Sequence, residues 1–234
     1  LRADGETFRA ALAAGAAAGP TPGAVVVRCQ DKVMPAATRD YLHGFGTNFD
    51  NDSPVTLAAV GGQALAAIDS TKQGYWRVRL VGKDRYETSY LVARAYFPFM
   101  TSVGLATGAA WPDALSGGAA MGSVVGPLLL VDPETGLSAQ DSGLLADNRA
   151  ELYAGYVFGG PVAVPAGVDK QLAAAIAGPL GVLDDHGARL ATPGQAGPAG
   201  SGQDGTQGPA RAGRPGGKPP GSGGGGRGGG GVPA

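Results

Sequence analysis

The chain repeats itself. Shifted by 103 positions, Gly5-Glu6-Thr7-Phe8 falls on Gly108-Ala109-Ala110-Trp111, Ala11-Leu12 on Ala114-Leu115, and Gly15-Ala16-Ala17 on Gly118-Ala119-Ala120, with no gap. The same shift carries Gly19 onto Gly122, Gly23 onto Gly126 and Val25-Val26-Val27 onto Leu128-Leu129-Leu130. Matches of alanine and glycine count for little in a chain with 43 glycines, but the aromatic, the leucine and the triple aliphatic run stay in step. Farther on, Gly61-Gly62 falls on Gly159-Gly160 at a shift of 98, five fewer, which places a longer loop in the first copy around His43 to Ser53. A repeat of this length is a whole structural unit, and it constrains the fold more than any single motif. The expected layout is an incomplete first unit at 1–77, a complete second unit at 78–178 and a remainder at 179–234.

Within the second unit, short apolar runs alternate with helix-length segments. Val103 to Thr107, Pro127 to Val131 and Tyr153 to Phe158 are apolar along their length, as parallel strands buried on both faces tend to be. Helix start signals fall between them. Asp84-Arg85-Tyr86-Glu87 pairs an N-cap residue with a carboxylate three positions on and opens a helix to about Phe97. Pro112 and Pro165 suit first helical positions, and Ser138-Ala139-Gln140-Asp141 is a weaker cap signature. This alternation predicts an α/β fold of tandem doubly wound modules, Rossmann- or flavodoxin-like, with parallel sheets.

Composition removes several classes. A formal net charge of −1, from 18 basic and 19 acidic residues, gives no global field for nucleic acid or an anionic membrane. A single cysteine, Cys29, excludes an internal disulfide and any multi-thiolate metal site, and His43 and His186 read as ordinary histidines. No metal or cofactor is expected. Residues 114–131 run without a charge, but Gly117, Gly118, Gly122, Gly126 and Pro127 break the run into a short helix, a turn and a buried strand rather than a membrane span. From Pro179 on the chain is rich in glycine and proline, and Val232 is the only bulky aliphatic after Leu190. Such a tail cannot offset its ordering entropy by burial and is expected to be disordered. The chain opens at Leu1 without a basic segment and apolar stretch, which reads as a fragment whose export signal lies elsewhere.

Four blocks stand in order: Arg79-Leu80-Val81-Gly82-Lys83-Asp84-Arg85-Tyr86-Glu87-Thr88, Ala106-Thr107-Gly108-Ala109-Ala110-Trp111-Pro112-Asp113-Ala114-Leu115-Ser116, Gly126-Pro127-Leu128-Leu129-Leu130 and Phe158-Gly159-Gly160. Together they resemble the cell wall binding repeat 2 family. The resemblance implies a protein exported by a Gram-positive bacterium. It also implies tandem repeats, commonly three, that anchor it non-covalently to an anionic cell-wall polymer, a polysaccharide or teichoic-type chain, and an extracellular place in the cell wall. It implies no catalysis by this region. The first unit lacks the opening block, which the resemblance places upstream of Leu1, and has Arg9, Ala10 and Ala13 where the second has Pro112, Asp113 and Ser116.

Open α/β sheets bind ligands beyond the carboxyl ends of their strands. Candidate polymer contacts there are Trp111, Asp113 and Ser116 after the first strand of the second unit, Asp132 after the second, and Gly159 and Gly160 after the third. Glycine lets a ligand or another backbone approach closely, and a helix start offers N–H groups to an anion. Arg79 and Arg85, flanking Asp84, suit a phosphate or carboxylate, although Arg85 equally suits an internal ion pair with Asp113 or Asp132. Tyr86 and Trp111 either stack on sugar rings or pack inside the fold. Ala114-Leu115-Ser116-Gly117-Gly118 approaches a nucleophile elbow, which keeps an α/β serine hydrolase using Ser116 as the alternative, although Pro112 places that serine inside a helix.

Overall fold

The computed structural model describes residues 2–4, 11–45, 56–72, 75–176 and 181–191. They form a mixed α/β structure with two sheets and, among the described residues, seven helices. The first sheet is built from β1 (Arg2–Asp4), α1 (Ala11–Ala18), β2 (Val27–Cys29), α2 (Ala36–His43), β3 (Thr56–Val60), α3 (Gly62–Asp69) and β4 (Trp76–Leu80). Its strands are all parallel, in the order β2-β1-β3-β4. The second is built from α4 (Arg85–Tyr96), β5 (Ser102–Thr107), α5 (Pro112–Ser123), β6 (Leu128–Val131), α6 (Ala139–Asp147), β7 (Ala154–Phe158), α7 (Val168–Ala175), β8 (Gly181–Leu183) and β9 (Arg189–Ala191). Its order is β6-β5-β7-β8-β9, parallel except for β9, so this sheet is mixed rather than wholly parallel as expected.

The elements begin where local chemistry starts them. Asp84 caps α4, its Oδ1 accepting from the Glu87 N–H at 2.8 Å, and Pro112 sits at the first position of α5. Ser138 and Asp141 close a reciprocal capping box on α6. The uncharged stretch at 114–131 is α5, a turn and β6, and no helix among the described residues is long and apolar enough to cross a membrane. β5 and β6 are buried at every residue, because helices cover both faces of the sheet.

Three expectations need correction. The boundary at 77/78 falls inside β4, which pairs with β3 through all five of its residues, so Arg79 and Leu80 close the first sheet and the second begins with α4. The remainder expected to be disordered from 179 contributes β8 and β9, because Val182 is fully buried against the α7 side of the sheet. The rest of that expectation, 192–234, lies outside the described residues. Pro165 does not open a helix; a turn holds it, and α7 starts at Val168 behind Gly167, whose φ of +93° suits glycine alone.

The two sheets are joined by their helices. α1 packs along α5 through Gly15 and Gly19 on one side and Gly118 and Gly122 on the other, residues four apart that share a helix face. A Cβ on Gly19 would lie 2.6 Å from the Gly122 carbonyl oxygen, and one on Gly118 would lie 2.7 Å from the Leu12 carbonyl oxygen. Glycine is therefore what lets the backbones approach this closely. Because 15 and 118, and 19 and 122, are related by the shift of 103, each helix meets its own counterpart. One continuous core runs across this joint, from Leu12 and Ala16 through Leu105 and Met121 to Leu172. A smaller core, around Leu42, Leu57 and Ile68, lies on the opposite face of the first sheet under α2 and α3.

Helix α4 closes the second sheet. β6 is its edge strand, and α4 lies against it, between α1 and α6. The Leu130 N–H, which has no neighbouring strand on that side, donates to Ser89 Oγ at 3.0 Å. An open strand edge is thereby covered by a helix.

Candidate functional site

The carboxyl ends of β5, β6 and β7 meet the start of α4. At the end of β5 the buried Thr107 accepts from the Ala109 N–H through Oγ1, at 3.1 Å, and turns the chain outward at Gly108. The Gly108 carbonyl accepts from the Arg85 guanidinium. A Cβ on Gly108 would stand 2.4 Å from the Tyr86 ring, so the absence of a side chain there seats the tyrosine. Arg85 also lies over that ring, 5.8 Å from its centre, within cation–π range.

The Tyr86 hydroxyl lies near enough to the Asp132 carboxylate for each to shift the other's titration. Asp132 follows β6 at the head of a tight turn closed by Gly136, and its Oδ1 accepts from the N–H groups of Glu134, at 2.8 Å, and Thr135, at 3.0 Å. Those two amides hold its carboxyl below the ordinary carboxylate range, and the tyrosine adds to this. Tyr86 moves the other way: burial, then the neighbouring negative charge, push its hydroxyl above its ordinary value. At neutral pH the phenol is therefore neutral and the carboxylate ionised.

Asp113, in the first turn of α5, lies against Gly159, where a Cβ would be 2.6 Å from Asp113 Oδ2 and φ is +106°. The carboxylate therefore touches bare backbone. Gly160 beyond it faces open space. Gly159-Gly160 is not a tight turn into a helix, since seven residues lie between Gly160 and α7 and the Gly160 carbonyl accepts from the Ala163 and Val164 N–H groups. In the first sheet the matching Gly61, φ +89°, does lead straight into α3.

The predicted residues fall into three groups. Arg85, Asp113, Asp132 and Gly159 are drawn to the strand ends, with Tyr86 and Gly108 between them. Trp111, half exposed at the N-cap of α5, stands on the outer side of this rim, and Ser116 lies one turn into α5 with its hydroxyl donating to the Asp113 carbonyl at 3.0 Å. A serine bonded into its own helix is not poised on a strand-to-helix turn, so the elbow geometry is absent. Arg79 sits apart, exposed on β4 of the first sheet. Arg85 forms no ion pair with Asp113 or Asp132 among the described residues; its partner is a carbonyl. The Tyr86–Asp132 contact has no local signature, since the two lie 46 residues apart. The one clue was glycine at 108, which recurs as Gly5 in the first unit.

Asp141 is the buried carboxylate of the second unit. Its Oδ2 accepts from Ser138 Oγ at 2.7 Å, while Oδ1 is buried with no hydrogen-bond partner. Burial raises its pKa, opposed by the Ser138 bonds, and Asp84 adds a smaller push in the same upward direction.

Residues 79–169 match the family model of cell wall binding domain 2, so the four blocks resemble that family as the sequence indicated. This stretch is thus similar to that domain over about two fifths of the chain. It begins in β4, covers the whole rim described above and ends in α7. The fold is also that of two solved cell-wall proteins. Cwp6 from Clostridium difficile superposes with a TM-score of 0.63 at 18% identity, covering 78% of this chain and 28% of that one. Cwp8 from Clostridium difficile gives 0.60 at 20% identity, covering 75% of this chain and 29% of that one. The chain thus spans less than a third of either protein. No curated protein matches it in sequence.

Proposed function

We propose that this chain is a non-catalytic module that helps hold an exported protein on the cell surface by binding a cell-wall polymer, and that its two sheets are tandem doubly wound copies of one unit. The family match over 79–169 carries the reading. In this layout the first copy ends with β4 and the second runs from α4 to β9. Asp113 and Asp132 are acceptors for sugar hydroxyls, and half-exposed Trp111 offers a face on which a sugar ring can stack. Arg79, exposed on β4, and Lys83, exposed ahead of α4, are the groups that favour an anionic polymer. The first copy has Cys29 in place of Asp132 and Ala10 in place of Asp113, so the second copy supplies the stronger contact. Weak contacts from several such modules add up to retention through effective concentration.

Co-sedimentation with purified Gram-positive walls tests this. Binding is expected to fall at least tenfold in a Trp111→Ala, Asp132→Ala double variant, and to be lost once the anionic polymers are stripped from the wall. Binding that survives stripping would remove the anionic polymer as ligand, and no binding to intact walls would leave a structural spacer. Ester hydrolysis abolished by Ser116→Ala would instead establish the hydrolase.

A further inference from the structure

Strand β4 ends the first sheet, and among the described residues no strand pairs with its outer side. Its inner side is taken by β3: Trp76 to Leu80 match Thr56 to Val60 residue for residue, and the Leu80 carbonyl accepts from the Gly61 N–H at 2.9 Å. Alternate residues of a strand turn their backbone groups to the same neighbour. Trp76 and Val78 therefore face β3 with Leu80, and the N–H and C=O groups of Arg77 and Arg79 point outward. The side chains divide in the same rhythm. Residues paired across strands share a face, which puts Trp76, Val78 and Leu80 with Ala58 and Val60, and Arg77 and Arg79 with Leu57 and Ala59. Leu80 is buried in the core that α1 and α4 line, whereas Trp76 is 72% exposed and Val78 39%. On the other face Arg77 reaches Asp69 of α3, and both remain half-exposed.

An edge strand that is merely protected carries charge and keeps its large apolar side chains out of solvent. β4 carries charge on one face and presents a tryptophan on the other. The second sheet shows what such an edge accepts. There β8 pairs with β7 as β4 pairs with β3, and β9 lies antiparallel along its outer side, with Val182 against Ala191 and Leu183 against Arg189. The chain leaving β8 turns back to form β9, whereas the chain leaving β4 enters α4. A second copy of β4 does not suit the open side. Antiparallel strands set residues of one face opposite each other, so every register that joins the apolar faces also sets arginine against arginine. Residues 192–234 suit it no better: their charged residues are Arg211, Arg214, Lys218 and Arg227 with Asp204 alone acidic, and glycine and proline interrupt every run.

We infer that the outer edge of β4 is a docking site for a strand of another protein, antiparallel to β4, in which carboxylate and apolar side chains alternate. Its carboxylate-bearing residues stand in hydrogen-bonded pairs with Arg77 and Arg79, exchanging backbone N–H and C=O bonds with them and laying their side chains beside the two guanidinium groups. Its apolar side chains fall on the opposite face and cover Trp76 and Val78. Backbone pairing holds the strand, and the alternation of charge and apolar surface selects it. Because Asp69 already meets Arg77, the carboxylate facing Arg79 contributes the larger share. Arg79 is the residue that this docking site has in common with the polymer reading. Trp76, Val78 and Arg77 belong to the docking site alone, so strand capture and wall binding fail separately.

The test offers the full chain a short peptide of alternating valine and glutamate, blocked at both ends. Two controls accompany it: the same peptide with lysine for glutamate, and the glutamate peptide N-methylated at its glutamates, whose N–H groups are the ones that face β4. Saturable binding of the glutamate peptide is expected, with both controls weaker by about tenfold or more. Hydrogen exchange at the Arg77 and Arg79 amides is expected to slow by about tenfold when it is bound. Trp76→Ser, at an exposed position, should weaken binding by about tenfold, and the Arg77→Glu, Arg79→Glu double variant should prefer the lysine peptide. If that double variant fails to fold, Trp76→Ser and the N-methylated peptide still decide the matter. Absence of saturable binding, or equal binding of the N-methylated peptide, would overturn the inference, the latter by showing charge attraction without strand pairing. A chain that sediments as a dimer and becomes monomeric with Trp76→Ser would place a second copy on this edge and would also overturn it. So would loss of wall binding in Trp76→Ser with no peptide bound by the parent chain, which would make this a sugar-stacking surface.

Discussion

The first and second sheets share the order of their first four strands, yet among the described residues the second has α4 laid along its edge strand and carboxylates at its rim, and the first shows neither. β6 carries Leu128, Leu129 and Leu130, all buried, with α4 laid against its free side. The corresponding Val25 and Val26 stay exposed. At the carboxyl ends, Asp113 and Asp132 of the second sheet correspond to Ala10 and Cys29, and the matching cysteine is buried. A repeated scaffold fixes where a site can be, and the residues at the strand ends decide whether one is there.

The difference in edge cover gives the largest expected effect. Leu130→Ala is expected to cost about 3 kcal/mol in urea unfolding, as the loss of a fully buried leucine does. Val25→Ala, at an exposed position just ahead of β2, should cost under about 0.5 kcal/mol. Equal costs would mean that the two edges are covered alike. Next comes the joint: Gly118→Val drives a side chain into the Leu12 carbonyl and is expected to cost about 2–3 kcal/mol, and a smaller loss would show that α1 and α5 separate easily.

Two carboxylates within the second unit should respond to pH in opposite directions. The Asp132 pKa lies below its ordinary value, so its contribution is complete above the ordinary carboxylate range and disappears as pH falls through the lowered value. The stability lost by Tyr86→Phe, read as a difference in Tm, should therefore shrink on acidification. The Asp141 pKa is raised, so the folded state holds this proton more tightly than the unfolded chain and the group destabilises at neutral pH. The penalty fades as pH falls through the raised value and is gone below the ordinary one. Asp141→Asn is accordingly expected to raise Tm at neutral pH and to lose that advantage in acid; a gain that persists there would assign the effect to packing. The smallest effect is expected from Gly143→Ala on the exposed side of α6, where nothing obstructs a Cβ: a gain of about 0.5–1 kcal/mol, opposite in sign to Gly118→Val in a neighbouring helix.

Signals carried by adjacent residues were legible in the sequence. Asp84 with Glu87, Ser138 with Asp141, and Pro112 each mark a helix start that the structure keeps, and the apolar runs at 103–107, 127–131 and 153–158 became β5, β6 and β7 within a residue. What was not legible depends on partners far along the chain. Trp76 to Leu80 carries no mark saying which sheet it joins, because pairing with Thr56 to Val60 is settled by where the preceding helix delivers it. Gly181 to Leu183 is too short to stand out, and becomes a strand only because β7 offers an edge. The rim was legible as a list of strand ends, whereas the seating of Tyr86 on Gly108 required both segments in place.

The stretch recognised as a family unit begins in the last strand of one sheet and continues into the first helix of the next. Strand β4 and helix α4 adjoin in the chain yet serve different sheets, so this stretch carries both the strand that closes one sheet and the helix that covers the edge of the other. A cut between residues 77 and 78 would divide a paired strand rather than separate two bodies.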